Sequence, residues 1–116
     1  MPKSLLGRLW RTLREGVLFL LGRRSIYGVD GRSMCPTLEP GDLVFVDPHR
    51  KGEVGSIVVA ELMTGRKVVK RIGSKGDTTV SLMSDNPNEG VDSRQLGSFD
   101  VTQIVGEVVL TWPWRS

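Results

Sequence analysis

Apolar residues in the first two dozen positions recur with the period of a helix. Leu5, Leu6, Leu9, Trp10, Leu13, Val17, Leu20 and Leu21 fall three or four apart, and Arg8, Arg11, Arg14 and Glu15 largely fall between them. The spacing predicts a helix over residues 4–21, with Arg23 and Arg24 placed favourably against the negative end of its dipole. Beyond it the pattern changes to strand-like runs. Ser25–Val29, Asp42–Asp47, Gly55–Met63, Arg66–Ile72, Thr78–Met83 and Gln103–Trp112 read as short strands. Pro48, Gly52, Gly55, the hairpin-like Met63-Thr64-Gly65 and Gly76-Asp77 punctuate them, and 84–97 reads as a polar loop. Short strands at this spacing predict a mainly β fold: a small, strongly bent antiparallel sheet or barrel with one N-terminal amphipathic helix.

Composition agrees with one domain of modest core. The chain has 116 residues, 39% hydrophobic and 25% charged, and its 14 glycines and 6 prolines suit many turns. Cys35 is the only cysteine, so no internal disulfide forms. With His49 the only histidine, no zinc site of the usual kind is expected, and His49 itself reads as solvated in a polar turn.

Charge separates the helix from the rest. Residues 1–32 carry Lys3, Arg8, Arg11, Arg14, Arg23, Arg24 and Arg32 against Glu15 and Asp30, a net +5 that leaves −2 for the remainder. The unbroken apolar run, Val17 to Leu21, is far short of the roughly 20 residues a spanning helix needs. Arginines interrupt the pattern and no small-residue cleavage site follows Arg24, which argues against a signal peptide. The expectation is a cytoplasmic protein without a transmembrane helix. Residues 4–21 then have two placements: the apolar face packed on the body or a partner, or laid on an anionic membrane surface. No aromatic stacking platform supports nucleic acid as a partner.

Two residues carry candidate chemistry. Ser33 lies in a turn bounded by Gly31, Pro36, Pro40 and Gly41, which can hold a hydroxyl exposed and fixed, although the same composition suits a plain turn. Lys70 shares a strand face with Val68 and Ile72. There its amine either snorkels to water or is desolvated. Desolvation can lower a lysine from about 10.4 by up to about 3–5 units, leaving a neutral amine able to take a proton from a serine.

Together these residues resemble a known family. Ser33-Met34-Cys35-Pro36-Thr37-Leu38 with Gly41-Asp42 resembles the nucleophile box of the signal peptidase I family. Lys70-Arg71-Ile72-Gly73 with Gly76-Asp77 is similar to its general-base box, and Ser84-Asp85-Asn86 with Asp92-Ser93-Arg94 and Gly97 to its third box. The resemblance spans roughly residues 28–112. It implies a Ser-Lys peptidase on a bent, mostly antiparallel β-fold, without a cofactor or metal. Residues 1–24 would be the basic helix and 25–116 the catalytic domain.

By position the resemblance makes Ser33 the nucleophile and Lys70 the base, with the Ser33 backbone N–H in the oxyanion hole. Met34 would pack beneath the nucleophile, Arg71 would support the site, and Asp92 and Arg94 would pair at its floor. Two positions depart from the pattern. Gly31 stands where some members carry a serine that adds an oxyanion donor. Gly90 stands where others carry a serine that bonds the lysine, which leaves the group orienting Lys70 unidentified. Cys35 reads as a filler at the variable position of the first box.

The compact spacing, Ser84-Asp85-Asn86-Pro87 and the closing Trp112-Pro113-Trp114 are similar to the nickel-type superoxide dismutase maturation proteases. That implies an N-terminal proprotein segment as substrate partner, the nickel superoxide dismutase precursor. The alternatives are a general leader peptidase attached to the membrane by residues 4–21, a LexA-type self-cleaving protein, and a non-enzymatic β-domain that binds an acidic partner. Against self-cleavage, the segment before Ser33 reads as one helix without a cleavable linker.

Overall fold

Helix α1 (Leu5–Leu20) starts where the Ser4 hydroxyl accepts a hydrogen bond from the Gly7 N–H at 3.1 Å, answering one of the free amides of its first turn. It ends because Gly22 takes φ 76°, which lets the Gly22 and Arg23 N–H groups reach back to the Phe19 and Leu18 carbonyls. The computed structural model describes residues 4–113; Lys3 of the basic segment and Trp114 of the closing motif lie outside them.

Seven strands follow: β1 (Ser25–Gly28), β2 (Leu43–Asp47), β3 (Ile57–Glu61), β4 (Lys67–Lys75), β5 (Thr79–Met83), β6 (Phe99–Asp100) and β7 (Ile104–Trp112). They form one sheet in the order β1-β2-β7-β3-β4-β5-β6, antiparallel at every pairing. Register slips at Phe45/Val46, Val59/Ala60 and Ile72/Ser74 add local twist, and the sheet curls into a half-barrel with β1 and β6 as its edges. At Gly106 on β7 the β2 chain crosses so closely that a Cβ would sit 2.6 Å from Val46 Cγ1.

Strand alternation divides the core between the two faces of the sheet. Val58, Ala60, Ile72, Val80, Leu82, Phe99 and Ile104 pack on one side. Val59, Val44 and Val46 pack on the other, where Val29, Met34 and Leu38 from the β1–β2 connection cover them. The turn that carries Ser33 is thus anchored by its own buried neighbours.

The strand expectations hold to within a few residues, with three differences. β4 runs on to Lys75, past the expected end at Ile72, because the register slip lets pairing resume after Gly73. The polar loop 84–97 contains a one-turn helix, α2 (Ser93–Leu96), which Asp92 and Gln95 close with a reciprocal capping box. The short β6 and the 3-10 turn Val101–Gln103 were not expected at all.

Of the placements left open for residues 4–21, packing of the apolar face on the body does not hold. Glu15 is the helix's one buried residue, and Arg24 holds it at 2.6 Å while also lying 3.5 Å from Asp47 on β2. The apolar stripe points the other way. Among the described residues no helix is long and apolar enough to cross a membrane.

Candidate active site

Ser33 opens a helical turn between β1 and β2, in which the Cys35 N–H bonds the Arg32 carbonyl and the Leu38 N–H bonds the Met34 carbonyl. Met34, 1% exposed, is the plug that fixes this turn to the core. The segment after β5 clamps it from outside: the Asn86 N–H donates to the Ser33 carbonyl at 2.8 Å, and its side-chain amide donates to the Arg32 carbonyl at 3.2 Å. The Ser33 N–H itself has no hydrogen-bond partner among the described residues, so a backbone donor is left free beside the hydroxyl.

Lys70 resolves as desolvated. It sits on β4 between Val68 and Ile72, opposite Val58 of β3, and is 5% exposed. Burial pushes its pKa down, with Arg66 and Arg94 adding to the effect and the Asp92 carboxylate opposing it. Lys70 Nζ donates a 2.9 Å hydrogen bond to Ser84 Oγ, and not to Ser33.

Gly90 brings the serine and the lysine to one place. A Cβ at this residue would lie 3.2 Å from Ser33 Cβ and 3.6 Å from Lys70 Nζ, so both side chains border the same small space. Gly90 takes φ 72°, a conformation that L side chains rarely adopt. The serine that some relatives were expected to carry here would be strained and crowded in this chain.

Ser84 is the group that sequence reasoning missed. The β4–β5 register pairs Arg71 with Met83, and one step further places Lys70 opposite Ser84. Ser84 is itself held, since its N–H donates to Asp92 Oδ2 at 2.7 Å. Asp92 also accepts from the Arg94 N–H at 2.9 Å and from the Arg94 guanidinium at 2.7 and 3.1 Å. That guanidinium, ahead of the two backbone donors, holds the Asp92 carboxyl far below the usual range.

The opposite face of the same two strands ties the three motifs together. Arg71 forks onto both oxygens of Asp85 at 2.9 and 2.8 Å, and the Thr37 hydroxyl donates to Asp85 at 2.6 Å. This lowers the Asp85 pKa, chiefly through the Arg71 hydrogen bonds. One residue from each motif therefore meets at a single carboxylate.

A cleft of about 470 Å³ runs from Ser33 and Lys70 along Val68, Leu62, Leu96 and Phe99. Its lining mixes these apolar residues with charged ones such as Arg66 and Glu89, which suits an extended chain that offers both backbone and apolar groups. Cys35 does not enter it. Partial burial and then the Glu39 carboxylate, 3.6 Å from its sulfur, push the thiol pKa up, away from nucleophile behaviour. His49 is exposed. Among the described residues no three His, Cys, Asp or Glu side chains are grouped to hold a metal ion.

Among known families, the model described as Peptidase S24-like matches residues 21–109, which include every residue of this site. No curated protein matches the chain.

Proposed function

The chain belongs to the Peptidase S24-like family, and from that premise we propose that it is a serine endopeptidase using Ser33 and Lys70. The observation that carries this reading is the burial of Lys70, whose amine is desolvated and held beside the serine's turn. In its neutral form, which burial favours, Lys70 accepts the Ser33 proton as the hydroxyl attacks the scissile carbonyl, and returns it to the leaving amine. The free Ser33 N–H donates to the oxyanion. Water then attacks the acyl carbonyl, Lys70 takes its proton and passes it to Ser33 Oγ as the acyl–oxygen bond breaks, and the free acid leaves. Ser84 orients the amine. The Ser33–Lys70 hydrogen bond would form as substrate enters, since such contacts often tighten only in the complex.

We read the substrate as the N-terminal segment of a proprotein, removed as a leader. The three-motif likeness to signal peptidase I and the compact spacing shared with the nickel superoxide dismutase maturation proteases support the dismutase precursor as its identity. The cleft beside the dyad, part apolar and part charged, agrees with an extended leader. Self-cleavage is less well supported, because α1 and β1 occupy most of residues 4–32 in paired backbone.

Mixing the protein with the dismutase precursor and reading the product N-terminus by mass spectrometry tests the proposal. One new N-terminus is expected with the wild type and none with Ser33→Ala. Unchanged cleavage by Ser33→Ala would overturn the dyad, and an intact precursor beside a cleaved leader-peptide library would overturn the dismutase assignment alone.

A further inference from the structure

The outward face of α1 is the largest feature the site does not use. Leu6, Leu9, Trp10, Leu13, Val17 and Leu20 form a continuous stripe along the whole helix, from 44% exposed at Leu9 to 82% at Leu20. The helix instead turns its polar side inward. Glu15 is 6% exposed, and the Arg11 guanidinium donates to the Val109 carbonyl on β7. A soluble domain seldom leaves so long an apolar stripe uncovered without something that covers it.

We infer that α1 is an interfacial anchor that lays this stripe into the surface of an anionic lipid bilayer. Charge selects the occupant. Arg14 and Arg23 are exposed at the border of the stripe and just past the helix end, and neither makes an ion pair among the described residues. The one acid between residues 4 and 24, Glu15, is buried against Arg24. Two copies meeting stripe to stripe would bring these cationic segments together with no exposed acid on either to answer them. An anionic headgroup layer supplies that charge along the whole helix while the acyl region takes the leucines and Trp10. Because the body is held on the opposite side by Glu15, Arg24 and Asp47, docking needs no rearrangement of the sheet.

Sedimentation with phosphatidylcholine vesicles, with and without phosphatidylglycerol, tests this inference. Recovery with the anionic vesicles is expected to exceed that with neutral ones by at least about tenfold at low salt, and to fall as salt rises. Binding should blue-shift the tryptophan emission, and Trp10→Phe should remove the shift. Leu13→Glu should abolish binding while leaving the thermal melt unchanged, since Leu13 is exposed, and paired Arg14→Gln and Arg23→Gln should weaken it on anionic vesicles alone. Equal recovery with both vesicle types, or with none, would overturn the inference. So would a dimer in sedimentation equilibrium that Leu13→Glu dissolves, which would assign the stripe to a second copy.

Discussion

Lys70 and Ser84 face each other where the β4–β5 ladder ends, joined by a 2.9 Å hydrogen bond with both residues buried. Ser84 hangs in turn from Asp92, and Asp92 from Arg94, so the amine is fixed by a chain of contacts and not by a single neighbour. Strand register aims the lysine, the helix cap holds the aspartate, and the rigid result is what a proton acceptor requires.

Removing the Ser84 hydroxyl should therefore loosen the base without removing it. Ser84→Ala is expected to lower kcat by roughly 10- to 100-fold, the penalty of a catalytic group displaced by about 1 Å. Ser84→Thr should restore most of the rate. A purely structural Ser84 would lower the melting temperature and leave the rate of the surviving fold unchanged, so melts and rates are measured on the same samples.

The buried amine also sets a pH dependence. A base works when neutral, so kcat/KM should rise with pH to a plateau, with its midpoint below the ordinary lysine value of 10.5. Stability carries the mirror image. The folded-state pKa lies below the unfolded one, so between the two the unfolded chain binds more protons. The charged lysine thus costs stability in full below the folded pKa, and the cost disappears above the unfolded one. Lys70→Met should abolish cleavage yet raise Tm near neutral pH, by roughly 4 °C for each kcal/mol of cost removed. A Tm equal to or below the wild type would show that the lysine is not destabilising where it sits.

Gly90 is a steric requirement of the same pocket. Gly90→Ala puts a methyl 3.2 Å from Ser33 Cβ and asks an L residue to hold φ 72°. The backbone term alone costs about 1–2 kcal/mol. Loss of activity should exceed what that modest destabilisation explains, and a crystal structure should show Ser33 displaced. Full activity would place the working serine further from Gly90 than this arrangement has it.

Much of the fold was legible because strand alternation and Gly or Pro punctuation are local signals. Val58 and Val59 go to opposite cores because they are neighbours on one strand. What escaped was short or non-local. α2 is a single turn, too brief for any periodicity, although Asp92 and Gln95 three positions apart were a visible cap signal. Ser84 escaped because it was read as the opening residue of its motif. The hairpin turn pairs Lys75 with Val80, which alone would set Lys70 opposite Asp85; the register slip between Ile72 and Ser74, which spacing does not show, moves Ser84 there instead. The direction of α1 escaped for a different reason. An amphipathic pattern marks which residues share a face, but only Glu15, Arg24 and Asp47 decide which face meets the body.

Asp92 offers a test in which stability and chemistry move apart. Its carboxylate is 2% exposed and takes hydrogen bonds from the Ser84 and Arg94 N–H groups and from the Arg94 guanidinium, so Asp92→Ala leaves those donors unanswered. The cost at pH 7 should be about 1–3 kcal/mol, that of leaving a buried donor unanswered, because Arg94 itself reaches solvent. Because the folded-state pKa is depressed, this stabilisation is complete above the unfolded value of about 3.9 and is lost as pH falls through the folded one. The Tm gap between wild type and Asp92→Ala should therefore narrow as pH falls below about 3.9; a constant gap would mean that packing, not charge, holds the site. The same substitution removes the one charge that raises the Lys70 pKa, so the activity midpoint of the folded fraction should move down in pH. A midpoint that stays fixed would remove Lys70 as the titrating base, whatever happens to stability.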